Sequence, residues 1–485
     1  MPARRAGIPS TTAQSMRITP LILAVALFME NMDSTVIATS LPAIAADIGT
    51  EPIPLKLALT AYFVALAIFI PISGWVADRF GARNVFRVAI GVFVLGSMAC
   101  AFSYSLETFV ASRFLQGIGA SMMTPIARLV LVRATPRNEL IGAMAWLSVP
   151  ALMGPLTGPP VGGFLTTYLS WHWIFWINVP IGLIGIVAVT LFLPKIETRT
   201  PRPVDFPGFV LAGVAFSGIM FGLSVISLPA LPPAVGLAAV AGGALSLLAY
   251  WRHSKRARYP LLDPKLFRHR MFRSTIIGSS LFRIGVGATP VLLPLMLQIA
   301  FGLTAFESGL ITFIGALGAI TSKLVAEKVF AAGGFPRVLI VASIGGCMLL
   351  AVVGLFDPLT PRPYLYLVLL AVGLLRSIFF TGVNALGYAD ISEEEASQAT
   401  AITAVTQQLS IALGVAVAGA VLELSASLTD GVLSLGDFHI AWYTVAGISL
   451  LSAIPFLRLP ADAGSDVSGH KRTVPPPIER DEKLG

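Results

Sequence analysis

The chain has 485 residues, of which 55% are apolar and only 12% charged, and its mean hydropathy is +0.82. No soluble globular domain of this size carries that balance, so the composition describes a polytopic, all-α membrane protein. A net charge of +8 would suit a nucleic-acid surface, but the bases fall in short loops between apolar runs. That pattern excludes nucleic acid as a partner and reads as membrane topology.

A crossing needs about 20 apolar residues. Fourteen runs meet that length, starting near residues 18, 55, 88, 107, 141, 172, 206, 231, 274, 308, 337, 364, 398 and 437. Residues 1–17 carry Arg4, Arg5 and Arg17 ahead of a run with no clear cleavage site, so this segment is expected to stay attached on the cytoplasmic side. Counted from there, the inner loops collect 26 of the 33 bases, which predicts that both termini are cytoplasmic in a multi-pass protein of the cell (inner) membrane. The outer loops hold Lys56 and Arg362, while Arg113, Arg128, Arg283, Lys323 and Arg376 fall within spans. Trp171, Trp173, Phe175 and Trp176 open the sixth span, where they suit an aromatic anchor at the outer interface.

Residues 18–200 and 274–460 each hold six spans. Between them, 201–273 contain an apolar hairpin, Phe206 to Trp251, and a basic linker, and 461–485 are polar and read as a disordered cytoplasmic tail. A short echo supports duplication: Gly-Phe-Pro-Arg-Val at 334–338 stands where the first half has Gly-Ala-Arg-Asn-Val at 81–85.

The ionisable residues inside spans are the functional candidates, because a charge in hydrocarbon is costly. Glu30 and Asp33 share a face of the first helix, and Asp33 stands about 22 Å into a core of about 30 Å. Arg113 cannot readily lose its charge, so it must find carboxylates, carbonyls or water, or snorkel to the surface. In the second half Arg283, Lys323 and Arg376, with Asn384, Gln407 and Gln408, could line a substrate cavity or serve as glue between helices; Gln116 in the fourth span joins this cavity group. In the fifth span Gly154, Gly158 and Gly162 recur every four residues and leave one helix face bare for a neighbouring backbone. Pro159 and Gly163 belong to the same run. The turn after the second span, Gly74 to Arg87, sets Asp78 among Arg79, Arg83 and Arg87, with Gly81 permitting a tight reversal; Asp78 is expected to pair with Arg83 or Arg133. Cys100 and Cys347 lie in separate spans, which argues against a disulfide framework. The five histidines lack metal-ligand spacing, and no phosphate-cradling loop is present, so no metal, cofactor or ATP is expected and the chain is not read as an enzyme.

Gly-x-x-x-Asp-Arg-x-Gly-x-Arg at 74–83 resembles the signature loop of the major facilitator superfamily. Five further runs resemble its EmrB/QacA-type branch, the fourteen-helix drug:proton antiporters, and within it the MdtD-like group: Met32 to Pro42, Arg113-Phe114-Leu115-Gln116-Gly117, Gly154 to Gly163, Trp171 to Gly182 and Gln298 to Leu310. Ala38 replaces the Asn usual in the first run, and Glu30 is an acid that the pattern does not require. The resemblance implies two six-helix bundles flanking the inserted hairpin and a substrate site near mid-membrane. It implies alternating access, with Asp33, Glu30 and Arg113 coupling proton movement to export of a small amphiphile. The proton is then the coupling ion, and the partners are the substrate, protons and lipid, with a monomer expected. An exporter of an anionic metabolite or metal chelate, a lipid flippase of the same fold and a membrane enzyme are the alternatives.

Overall fold

The computed structural model describes residues 11–134, 140–193, 203–226, 232–392, 395–428 and 433–464; within some helices, including 140–152 and Lys323, only the backbone is described. Among the described residues, fourteen long helices make up the molecule. They are α1 (Thr11–Val36), α2 (Lys56–Phe69), α3 (Ala82–Ala101), α4 (Leu106–Ala134), α5 (Leu140–Tyr168), α6 (Asn178–Phe192), α7 (Phe206–Val225), α8 (Pro233–Ser254), α9 (Arg270–Leu295), α10 (Ala305–Gly333), α11 (Phe335–Val353), α12 (Arg362–Leu386), α13 (Ala396–Ser427) and α14 (Leu435–Leu450). Thirteen are long and apolar enough to cross a membrane, and α5, of 29 residues, completes the set.

Several boundaries depart from the sequence reading. Beyond α1 the first apolar segment, for which hydropathy set only a start, continues through a tighter 3-10 turn at Ile37–Ser40 into a further helix, Leu41–Asp47. Pro42 explains the change of pitch, since it offers no N–H and its ring crowds the carbonyl one turn back. The apolar span thus covers Thr19–Ile48, which centres Asp33 within it. The charged turn at 74–87 is almost entirely helical. A helix runs Ser73–Phe80, Gly81 alone reverses the chain at φ 84°, and α3 starts at once. Gly334, at φ 69°, does the same between α10 and α11, so the short echo marks a repeated helix-Gly-helix device that only a residue without a Cβ adopts freely. The aromatic anchor is also revised. Trp173 is exposed, but Trp171 and Phe175 are buried and pack edge-on against Phe109, with ring centroids 6.2 and 5.7 Å away. Ala463 and Gly464 pack beside Phe335 and Leu386, so the segment read as a tail is still part of the fold at its start; 465–485 lie outside the described residues.

Helix pairings repeat between the two sets of six. In the first set α1 packs on α5 and α6, α4 on α2 and α3, and α3 on α6; in the second set α9 packs on α13 and α14, α12 on α10 and α11, and α11 on α14. The halves meet along two seams, α5 with α10 and α2 with α13, which exchange under the same correspondence. The α7–α8 hairpin lies over the α2–α13 seam. Thr60 and Ser224 share a hydrogen bond of 3.0 Å there, and Phe216 packs with Ala67 of α2 and Val405 of α13. Its two helices touch through Gly218, Gly222, Gly236 and Gly243, where a Cβ would meet backbone, and Asp205 closes its base by capping α7 and bonding His253 at 2.6 Å.

The loops carrying Arg79, Arg83, Arg133, Lys255, Arg268 and Arg337 all gather at one end of the bundle, here termed the basic face. The other end, the distal face, carries Asp47, Lys56, Trp171 and Arg362.

Candidate functional site

Three helices of the first half converge on Asp33. Its Oδ2 accepts a hydrogen bond from Arg113 Nη1 at 2.7 Å, and its Oδ1 accepts from Gln116 Nε2 at 2.9 Å and Asn178 Nδ2 at 2.8 Å. Asp33 and Arg113 are both fully buried, so snorkelling of Arg113 to the surface is excluded. Arg113 also donates to Gln116 Oε1 at 2.6 Å, and its guanidinium lies 4.4 Å above the ring of Tyr62. Arg113 and Gln116, three residues apart on α4, share a face, which is why one run supplies both donors. Gln116, expected at the cavity wall, belongs instead to this sealed cluster.

A buried ion pair repays the desolvation of its charges only when the remaining hydrogen-bonding groups are met. For Asp33 they are; for Arg113 the Nε and Nη2 groups remain without a partner. Glu30, one turn before Asp33, accepts from Thr124 of α4 at 2.9 Å and is half-buried. The two acids therefore face the same helix at different depths.

The bare face of α5 docks on the helix that carries Asp33. A Cβ on Gly154 would lie 2.8 Å from Asn31 Cβ and the Met32 nitrogen, one on Gly158 would strike Thr35, and one on Gly162 would strike the Val36 carbonyl. Gly163 and Pro159 face the other way, against Ala305 and Gly309 of α10 across the seam. One helix thus touches both the Asp33 helix and the opposite half.

At the basic face Asp78 pairs with Arg133 at 2.7 Å rather than with Arg83. Arg83 instead donates to the Thr190 carbonyl at the end of α6, because the helical start of α3 aims it there. Arg79 is exposed, and Gly74 has open space where a Cβ would sit.

In the second half Arg283 donates to Gln407 Oε1 at 3.2 Å and lies 4.2 Å above the ring of Phe380, with its Nη1 buried and unpartnered. Arg376 stands one turn from Phe380 on α12. Among the described residues neither arginine has a carboxylate within ion-pair distance. Asn384 is exposed and Gln408 half-buried, and the side chain of Lys323 lies outside the described residues.

Other polar groups escaped the sequence reading. Asn178, within the run Trp171 to Gly182, was not singled out as a site residue, and its partner Ser97 was hidden in an apolar run; the signal was an amide within an otherwise apolar stretch. Lys56, counted as an outer-loop base, is buried and bonds Glu423 of α13 at 2.7 Å. Its stem fits because residue 419 is glycine, where a Cβ would collide with it. Two further bonds join the halves near this end, Gln298 Nε2 to the Thr39 carbonyl at 3.1 Å and the Phe306 nitrogen to Thr167 Oγ1 at 3.1 Å. Among the described residues, these direct bonds between the halves all lie toward the distal face.

The sequence profile of the Major Facilitator Superfamily matches residues 23–415. A protein of Yersinia enterocolitica is 36% identical over 92% of this chain and 95% of its own length, and one of Salmonella typhi is 35% identical over 93% and 97%; both bear the name "Putative multidrug resistance protein MdtD". Among solved structures, a POT family peptide transporter superposes with a TM-score of 0.68 at 15% identity, covering 92% of this chain and 97% of its own. A D-xylose-proton symporter superposes with 0.66 at 14%, covering 92% and 99%. At those identities the likeness concerns the fold alone.

Proposed function

Because the chain belongs to the major facilitator superfamily and so is a membrane transporter of small molecules rather than an enzyme, we propose that it exports small amphiphilic compounds in exchange for protons by alternating access. The basic face is assigned to the cytoplasm on the positive-inside rule, the chain acts as a monomer, and Asp33 carries the coupled proton. The observation that carries this reading is the fully buried Asp33–Arg113 pair. A carboxylate held there by donors from α4 and α6 changes its charge only if those helices re-expose it to water, so its proton tracks conformation. Through the glycine face of α5, the same helix is mechanically linked to the seam between the halves. The relatives named for multidrug resistance support an amphiphilic cargo.

The test is proton uptake on substrate addition to purified protein in liposomes with an imposed pH gradient. Uptake that depends on both substrate and Asp33 supports the reading, and transport indifferent to the gradient overturns it. A second reading, export of an anionic metabolite or chelate, is favoured by Arg283 and Arg376, two arginines deep in the second half with no carboxylate partner among the described residues. An anionic substrate group would supply their missing charge.

A further inference from the structure

We propose that Asn178 is a positioning residue for the coupled proton: its amide donates to the Asp33 carboxylate and accepts from the Asp33 carboxylic acid, so both protonation states have a partner inside the membrane. The proposal rests on the reading of Asp33 as proton carrier.

Asn178 is fully buried. Its Nδ2 donates to Asp33 Oδ1 at 2.8 Å and to Ser97 Oγ at 3.0 Å. Ser97 places its own proton on the Phe175 carbonyl at 2.9 Å, so it can only accept from Asn178, and this fixes which end of the amide is nitrogen. The Asn178 oxygen is left buried without a donor, a costly arrangement unless another state uses it. That state follows from the chemistry of Asp33. When a proton from water forms an O–H bond at Oδ1, the carboxyl group ceases to be acceptor-only and needs an acceptor of its own. Arg113 is a donor only. The Gln116 oxygen already takes Arg113 at 2.6 Å and faces the Cys100 thiol at 3.8 Å. The open acceptor beside the acid is Asn178 Oδ1, which a rotation of the amide about its last torsion presents to the new O–H. Arg113 meanwhile keeps the Gln116 oxygen and the Tyr62 ring face, so its charge is not stranded when Asp33 becomes neutral. The remaining titratable groups around Asp33 are Tyr62 of α2, Cys100 of α3 and Glu30 of its own helix; the described part of α5 brings none to it.

The test needs no knowledge of the cargo. Infrared difference spectra of the purified protein in lipid, recorded between alkaline and acidic buffer, report the carbonyl stretch of a protonated carboxyl group. Asp33→Asn serves as the assignment control. If it leaves the spectrum unchanged, Asp33 does not take up the proton and the functional reading itself fails. If it removes a band, the effect of position 178 on that band decides the present inference. Asn178→Leu, of similar size but without hydrogen-bonding groups, is expected to move the band to the frequency of a free acid. The titration midpoint moves only by the difference between the bonds lost from the two protonation states, so the band frequency is the deciding readout. Asn178→Asp keeps an acceptor and, once protonated, a donor, so it is expected to retain a hydrogen-bonded band and to add a second acid step; it carries the test if the leucine variant does not insert. An Asp33 band with wild-type frequency in the leucine variant, or a single acid step in the aspartate variant, would overturn the proposal while leaving Asp33 as the carrier.

Discussion

Asparagine at position 33 would keep the shape of the carboxylate but neither its charge nor its capacity to bind a proton, so Asp33→Asn separates packing from coupling. Proton-driven efflux is expected to vanish, while substrate counterflow without a gradient persists. The variant leaves Arg113 the Gln116 oxygen and the Tyr62 ring face but no carboxylate. Only part of the penalty of about 3–5 kcal/mol for losing one partner of a buried pair is therefore expected, seen as lower yield, and rates must be compared per folded molecule. Proton uptake in proteoliposomes at the wild-type ratio would move the coupling site elsewhere. Glu30→Gln should do less, because Glu30 is half-buried and the structure gives it one hydrogen bond, from Thr124. At this scale Asp33, Arg113 and Gln116 were readable because ionisable or amide side chains in a long apolar run stand out. Which of them touch was not readable, since Gln116 could equally have faced a cavity until the helix rotation was known. Asn178 stood in the run Trp171 to Gly182 but was given no role there, because four conspicuous aromatics account for that run as an interface anchor.

Single helices were the most legible feature of the chain. Hydropathy alone put the start of α7 at 206, where the structure also starts it, and the start of α4 at 107 against Leu106. It failed at the turn 74–87, because charge density suggests loop whereas the backbone needs only Gly81 to reverse. The glycine repeat of α5 was legible as a bare face, but its partner was not. That partner makes a prediction specific: a side chain at residue 158 meets Thr35 on the Asp33 helix. Gly158→Leu should therefore abolish transport by prising α1 from α5, with overpacking of about 1–3 kcal/mol and reduced thermal stability in detergent. Full activity there would mean that the contact yields freely. At the basic face, Asp78→Asn removes a partly exposed pair with Arg133 worth about 1 kcal/mol or less. Since 1.4 kcal/mol is tenfold in an equilibrium, the expected result is a severalfold loss of turnover with normal insertion, and unchanged efflux at matched protein level would count against a switching role.

For the molecule as a whole, the correspondence of helix pairings was foreshadowed by five residues at 334–338, too few to carry it, because pseudo-symmetry resides in backbone packing while the two sets of side chains have diverged. The assignment of the basic face to the cytoplasm is open to reporter fusions, with Ser254 expected to read internal and Thr360 external. The contact least visible in sequence is the one holding the halves together at the distal end. Lys56 looked like an ordinary loop base, and Glu423 lies a whole half away. Their pair is buried and spans the α2–α13 seam, so it exists only while that end is shut; opening would separate the charges and return both to water. Lys56→Met leaves Glu423 without its cation in the shut form, a penalty of about 3–5 kcal/mol that the open form does not share, and the population should move strongly toward distal opening. Lys56→Met with Glu423→Leu removes both charges and should restore or strengthen closure, because well-packed apolar groups commonly equal or exceed a buried ion pair. Spin labels at Tyr104 and Leu359, exposed by 81% and 90% on opposite halves of the distal face, report the change. The single variant should gain a long-distance population that the double variant lacks, and a single variant with the wild-type distance distribution would show that the pair does not set the balance between the two states.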